Sequence, residues 1–251
     1  MPPCLELVEV SRHFGGLKAV DGVTLSVRSG ARHAIIGPNG AGKTTLFGLV
    51  SGELPTTAGT ITLLGADITG LAPHRRAARG IARTFQITKL FLDLTVLENV
   101  LLACEALDWR KFTVHRPLSS YADLGERAAS LLEMFRLSEL RHVLARHISY
   151  GHQRQLEVAL SLAGRPRLLL LDEPMAGLSA GERDAMRDLL GGLDPAIAVL
   201  LIEHDMDVAF GFAERITVLD QGRVVADGGR DEIGANDMVQ RIYLGSQEPR
   251  A

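Results

Sequence analysis

Gly37-Pro38-Asn39-Gly40-Ala41-Gly42-Lys43-Thr44 is the stretch from which the rest of the chain can be read. It fills the pattern G-x-x-x-x-G-K-[ST] at every position. A triphosphate needs many hydrogen-bond donors close to its oxygens. Glycines let a backbone turn tightly, with its amides pointing inward and no Cβ in the way. Ile35 and Ile36 supply a strand before the loop, and Thr44 to Ser51 leave it as a helix. The N-terminal end of that helix favours negative charge. Lys43 is placed to meet the β- and γ-phosphates, and the Thr44 hydroxyl to ligate Mg²⁺. A Gly-rich turn beside a surface lysine is the bland alternative, and it leaves the flanking strand and helix unexplained.

Outward from that loop, Leu168 to Pro174 reads LLLLDEP. Four apolar residues in a row are what a parallel strand buried on both faces requires. In open α/β sheets, ligands sit at the carboxyl ends of the strands, where this run delivers two carboxylates. Asp172 is positioned to hold Mg²⁺ through water, and Glu173 to polarise an attacking water. Phosphoryl transfer needs mainly positioning and charge neutralisation, so few residues suffice. A second apolar run, Ala198 to Ile202, ends close to His204 in IEHD. A histidine after a strand serves structure as readily as chemistry. On the same sheet edge as Asp172, His204 would bond the γ-phosphate and orient the water. Gln86 in RTFQ is a further polar residue whose side-chain carbonyl would reach the metal.

The 251 residues are 46% hydrophobic, enough for a sizeable core at the upper end of single-domain size. The formal net charge of -3 does not suit a polycation seeking nucleic acid. Cys4 and Cys104, widely separated and outside any CxxC, make neither a disulfide scaffold nor a zinc site. No apolar run approaches the roughly 20 residues that span a bilayer. The start, with Glu6 and Glu9 and no basic segment, does not read as a signal peptide. A role at a membrane would therefore come through a partner. Residues 4–86 read as short strands around the loop and its helix, with strands at Val20 to Val27, Arg32 to Ile36 and Gly59 to Leu64. Residues 87–163 are mostly helical, with Leu97, Leu101, Ala128, Leu131, Leu132 and Phe135 at helical spacing and a loop over Asp108 to Ser120. From residue 164 strands alternate with helices again. Ile216 to Asp220 and Val224 to Asp227 flank Gly222 as a late hairpin.

In this order, almost the whole chain resembles the nucleotide-binding subunits of ABC transporters. Gly37 to Thr44 looks like the Walker A loop and Gln86 like the Q-loop glutamine. Asp172 and Glu173 resemble the Walker B aspartate and its catalytic glutamate, and His204 the switch histidine. Phe14 matches the aromatic that stacks on adenine. Ile148-Ser149-Tyr150-Gly151-His152, followed by Gln153, stands where the family has LSGGQ. Ser149 and Gly151 are kept, whereas Tyr150 and His152 depart. Met175 to Ser179 resembles the D-loop, with Ser179 in place of its usual acid. GIARTFQ, LFLDLTVLENV, IEHDM and a late YLG at Tyr243 to Gly245 are similar to the ATPases of branched-chain amino acid importers, with the urea and short-chain amide branch close.

The resemblance implies an α/β fold: a P-loop NTPase (RecA-like) core with an N-terminal antiparallel β subdomain and an inserted α-helical subdomain. It implies a single ABC ATPase domain over 4–251 with residues 87–163 as the helical part. ATP and Mg²⁺ are the implied cofactors. Phe14 and Gly37 to Thr45 would bind ATP, and Thr44, Gln86 and Asp172 would hold the metal. Lys43, Glu173 and His204 would act in catalysis. Ser149 to Gln153 would meet the nucleotide of an opposite subunit in a head-to-tail dimer, whether with a second, related ATPase or with another copy. Further implied partners are two integral-membrane permeases and, indirectly, an extracytoplasmic binding protein; position alone, just past Gln86, makes Lys89 and Phe91 a contact surface for the permeases. The implied place is the cytoplasmic face of the plasma membrane. An exporter of lipid or polysaccharide is opposed only by the branch resemblance. A soluble ABC-type ATPase acting on DNA or ribosomes would usually carry two cassettes or long coiled coils. A GTPase would usually show N-K-x-D, which this chain lacks.

Overall fold

The computed structural model describes residues 3–84, 90–106 and 122–245, so Gln86, Lys89 and the segment 108–120 lie outside the described residues. The chain clusters into two compact units, one of Met1–Ile81, Arg167–Glu173 and Asp194–Ala251, the other of Ala82–Pro166 and Pro174–Leu193. The helical part thus takes in a stretch after the acidic pair that sequence patterning had left with the strands.

In the first unit, β1 (Pro3–Phe14) and β2 (Leu17–Arg28) form a hairpin. β4 (Ala58–Leu63) and β5 (Ala66–Asp67) extend it into an antiparallel sheet of order β2-β1-β4-β5. β2 buries Val23, Leu25 and Val27 and exposes Thr24 and Ser26, the alternation of a sheet covered on one face. The second sheet contains β3 (Arg32–Ile36), β6 (Ile81–Arg83), β7 (Leu168–Asp172), β8 (Ala198–Ile202), β9 (Arg215–Asp220) and β10 (Arg223–Gly229), in the order β10-β9-β3-β8-β7-β6. Every residue of β7 and β8 is buried, as their unbroken apolar runs require.

The register decides where chemistry can gather. β3 runs parallel to both β8 and β9, with Ile35 opposite Ile202 and Thr217, and β7 runs parallel to β8 with Asp172 opposite Ile202. The ends of β3, β7 and β8 therefore open on one sheet edge. α1 (Lys43–Ser51) leaves that edge buried nearly all round. Its Leu46, Phe47, Leu49 and Val50 join one core with Leu5 and Leu7 of β1, Ile61 of β4 and Leu170 and Leu200 of the second sheet. Arg76 on α2 (Pro73–Ala78) is fully buried and donates to the carbonyls of Leu49 at 2.6 Å and Val50 at 2.9 Å. It caps the C-terminal end of α1, where a cation complements the helix dipole. α7 (Met206–Phe212), α8 (Arg230–Gly234) and α9 (Asp237–Gly245) complete the unit.

β3 carries one buried titratable group. His33 is 1% exposed, and its Nε2 lies 2.8 Å from Thr217 Oγ1. That hydroxyl donates to Asp227 Oδ1 at 2.9 Å, so it accepts from His33, which fixes the proton on Nε2. Arg215 holds the far side of the Asp227 carboxylate at 2.6 Å. Burial pushes the His33 imidazole down to about 4, with the charge of Asp227 opposing only in part. A folded-state value below the unfolded one means that the unfolded chain takes the proton first. The stabilisation is present above about pH 6.5 and is lost as pH falls toward 4. Between pH 7.5 and 5, urea unfolding is expected to show the wild-type chain losing about 2 kcal/mol more than a His33→Gln variant. Equal losses would mean that His33 titrates normally.

The second unit holds α3 (Val96–Ala106), α4 (Ala122–Met134), α5 (Tyr150–Leu162) and α6 (Ala180–Gly191). Ala128, Leu131, Leu132 and Phe135 are buried as their spacing suggests. On α3 the buried line is Val96, Asn99, Val100 and Cys104, one residue round from Leu97 and Leu101, which are half-buried. Asn99 explains the rotation. Its side chain accepts from Phe91 N at 2.9 Å and donates to the Phe91 carbonyl at 3.0 Å, so this face turns inward to pin the preceding turn.

Candidate functional site

α1 begins at Lys43 behind Gly42, whose φ is 99°, and a Cβ on Gly42 would stand 2.3 Å from the Ala19 carbonyl oxygen. Only glycine fits there. The loop is also tied from far along the chain. Gly222 N donates to the Ala41 carbonyl at 3.0 Å, and Asp21 N to the Gly222 carbonyl at 2.9 Å. Arg223 binds the Asp21 carboxylate at 2.6 Å and holds its pKa below the usual range. On α9, the Tyr243 hydroxyl faces the Gly37 backbone, and burial pushes it up to about 12. Local patterning gives no sign that Asp21, Gly222 or Tyr243 meets the loop.

Lys43 is 7% exposed, and its ammonium donates to the carbonyls of Gly37 at 2.6 Å and Pro38 at 3.0 Å. Burial lowers its pKa, while Glu173 and Asp172 act in the opposite direction, so both carboxylates stand within electrostatic reach. Asn39 and Gly40 are exposed at the loop tip, Ala41 is buried, and Thr44 is exposed beside half-buried Thr45 on the first turn of α1.

Asp172, 1% exposed, ends β7. Glu173 follows with φ 47°, a left-handed conformation that is uncommon outside glycine and collects at functional sites. Its N–H donates to the Ile202 carbonyl at 3.0 Å, locking the turn to β8. Its carboxylate oxygen Oε1 lies 3.7 Å from Nδ1 of His204, whose side chain is 58% exposed. Lys43, Asp172, Glu173 and His204 are therefore gathered in one unit at one sheet edge. Phe14, at the end of β1, is 44% exposed and so is not a core residue; the Arg12 guanidinium lies 4.4 Å from its ring centroid.

No group of three or more His, Cys, Asp or Glu side chains among the described residues could hold a metal. A magnesium ion does not need one, since it keeps several waters and takes one or two protein donors together with phosphate oxygens. The buried Asp172 carboxylate and the exposed Thr44 hydroxyl suit such a partial donor set; Gln86 lies outside the described residues.

In the second unit Ser149 is the N-cap of α5. Its Oγ accepts from His152 N at 3.3 Å and lies 3.0 Å from His152 Nδ1. Gln153 Nε2 donates to the Ala145 carbonyl at 3.0 Å. Gly151 is buried, whereas Ser149 and Tyr150 are exposed at the helix start.

Residues 20–176, from β2 to just past the acidic pair, match the family model described as ABC transporter. The chain belongs to the ABC transporter family. Full-length likeness agrees. The high-affinity branched-chain amino acid transport ATP-binding protein BraF of Pseudomonas aeruginosa is 39% identical, over 97% of this chain and 98% of that one. LivG of Salmonella typhimurium, of the same description, is also 39% identical, with 97% and 98% covered. The lipopolysaccharide export system ATP-binding protein LptB of Escherichia coli is 34% identical over 94% of this chain and 95% of that one. Among solved structures, MJ1267, an ATP-binding cassette of an ABC transporter, superposes with a TM-score of 0.86 at 29% identity, covering 97% of this chain and 99% of that one. This ABC ATPase therefore has the P-loop NTPase fold and is an ATP-binding, ATP-hydrolysing subunit. No helix among its described residues is long and apolar enough to cross a membrane.

Proposed function

We propose that this ABC ATPase drives an importer for branched-chain or related hydrophobic amino acids, working as a peripheral subunit on the cytoplasmic face of the plasma membrane. The observation that carries the motor reading is the gathering of Lys43, Asp172, Glu173 and His204 on one sheet edge beside the glycine loop. The full-length likeness to BraF and LivG supports the substrate class.

The proposed mechanism assigns each side chain one task. The backbone N–H groups of the 37–45 loop, apart from Pro38, which has none, and the start of α1 cradle the phosphates. The Lys43 ammonium exchanges its carbonyl partners for β- and γ-phosphate oxygens. Phe14 offers an exposed ring to the adenine, braced by Arg12. Thr44 and Asp172 would hold Mg²⁺, which supplies charge neutralisation when bound. Gln86 would reach toward that ion. Glu173 orients and deprotonates the attacking water, and His204, beside it, steadies the water and the γ-phosphate. Ser149, the amides of Tyr150 and Gly151 and the α5 N-terminus, with His152 and Gln153 on its first turn, act on the nucleotide of a partner ATPase in a head-to-tail dimer. Exposed Phe91 meets a permease, with Lys89, outside the described residues, close to it in sequence, and an extracytoplasmic protein delivers the substrate.

Affinity purification of the full chain from membranes solubilised in mild detergent, followed by mass spectrometry, tests this. Recovery of two polytopic permeases with a second, related ATPase is the expected result. Recovery with a lipopolysaccharide-export permease would move the chain to the LptB side. Recovery with only soluble proteins or nucleic acid would overturn the transporter role.

A further inference from the structure

Tyr150 stands at a position where the ABC signature ordinarily has glycine, and almost half of its surface is exposed. Burial therefore gives only part of a reason for its presence. An exposed tyrosine at the first residue of a helix would ordinarily keep its rotamer freedom, because ordering it costs entropy. Here it is fixed on two sides. Its hydroxyl donates to the Ala176 carbonyl at 3.3 Å. The edge of its ring stands 3.2 Å from where a Cβ on Gly177 would be, so the ring lies on the bare backbone of the 175–179 turn. Behind it, the Arg154 guanidinium sits 5.6 Å from the ring centroid and is itself paired with Glu157 at 2.9 Å.

A second joint lies one residue on. A Cβ on Gly151 would meet Oε1 of Glu182 at 2.3 Å, so the start of α5 rests directly on that carboxylate. The other oxygen of Glu182 accepts from Ser179 N at 2.9 Å and Ser179 Oγ at 2.7 Å, the reciprocal cap that begins α6. These Ser179 hydrogen bonds, with a smaller contribution from His152, hold the carboxyl below its usual range. Glu182 therefore stays charged and capped while it supports Gly151.

We infer that Tyr150, with Glu182, is a positioning residue that fastens the signature turn, Ser149 to Gln153, to the turn that follows the acidic pair, Met175 to Ser179. The two turns then move as one piece. Whatever displaces the 175–179 turn, which follows Glu173 in the chain by way of Pro174, displaces the Ser149 hydroxyl equally. Glycine at position 150 makes neither the hydrogen bond nor the ring contact, so in this chain the side chain adds a joint that the usual signature lacks. The inference rests on the proposed reading that the signature acts on an opposite subunit's ATP.

The test uses the full-length chain at one fixed protein concentration. It measures kcat, KM and the Kd for ATP of Ser149→Ala, Tyr150→Phe, Tyr150→Gly, Glu182→Gln and the Tyr150→Gly/Glu182→Gln double variant, with a thermal melt of each. Ser149→Ala is expected to lower kcat at least tenfold. Tyr150→Gly is expected to lower kcat about tenfold and Tyr150→Phe about threefold, since the ring stays and one neutral hydrogen bond goes. The Kd for ATP stays within twofold for both tyrosine variants, because the chain's own phosphate loop is untouched. Adding Glu182→Gln to Tyr150→Gly lowers kcat by less than the product of the two single effects, since both act on one joint. Wild-type kcat in Tyr150→Gly, with Ser149→Ala impaired, would overturn the clasp and leave the signature reading standing. Wild-type turnover in Ser149→Ala would overturn the signature reading and the clasp with it. A fall in Tyr150→Gly that follows a raised Kd or a collapsed melt, with Tyr150→Phe inert, would reduce Tyr150 to a packing role and overturn the proposal.

Discussion

Glu173→Gln is expected to lower kcat for ATP hydrolysis by at least about 100-fold while the Kd for ATP stays within about threefold, because a positioned general base contributes on the order of 10² to 10⁴ in rate. The reason lies in what the substitution leaves in place. Glutamine keeps the length and most of the polarity of the side chain, and the left-handed turn at φ 47° is held by the Ile202 carbonyl through the backbone. Asp172 and the Lys43 contacts are unchanged. What is lost is the carboxylate that takes the proton of the attacking water, and with it the charge that faces His204 at 3.7 Å. Single-turnover measurement separates this from slow product release: the bound nucleotide should remain ATP. A variant that turns over at the wild-type rate would move the base elsewhere, and an equal loss of binding would mean that the carboxylate shapes the site rather than the reaction.

Lys43→Ala is expected to act earlier, on binding. Its ammonium is buried at 7% exposure against two carbonyls that hold it over the loop, so little reorganisation separates it from phosphate oxygens. Charge-assisted hydrogen bonds are each worth about 1.5–3 kcal/mol. Losing about 3 kcal/mol weakens ATP about a hundredfold, and with the γ-phosphate contact gone from the reaction as well, hydrolysis should fall below detection. Calorimetric titration checks the affinity. An alanine variant that binds ATP as tightly as the wild-type chain would show that the loop amides alone carry the phosphates.

The legible parts of this fold are those in which local pattern and tertiary environment coincide. Leu168 to Leu171 and Ala198 to Ile202 announce themselves because a parallel strand covered on both faces has no reason to alternate. The phosphate loop is legible because the turn demands glycines at fixed positions. Where a distant contact decides the outcome, the sequence is silent. The face of α3 turns by one residue because Asn99 bonds across to Phe91. α6 belongs with the helical unit, where Glu182 and Ala176 meet the start of α5. Tyr150 reads as a departure from a motif, and the turn it fastens to lies 26 residues on at Ala176. Asp21, Gly222 and Tyr243 reach the cradle from opposite ends of the chain; the hairpin around Gly222 and the YLG at Tyr243 are legible, but nothing nearby says that they meet the loop.

That last arrangement sets the order in which the protein can come into being. β3, from which the loop springs, has β8 and β9 as its neighbours in the sheet, and Ala41 takes its hydrogen bond from Gly222. About 180 residues must therefore leave the ribosome after Thr44 before the loop meets Gly222, and about 20 more before it meets Tyr243. At about 5–20 residues per second, that is on the order of 10 to 35 s of synthesis. Throughout that interval the loop lacks its Gly222 tie. Once the β9–β10 hairpin has closed, nucleotide binding favours the finished fold by mass action. A polypeptide released early, anywhere short of that hairpin, carries the entire phosphate-binding motif in its sequence but lacks the strand beside β3 and the Gly222 tie that holds Ala41.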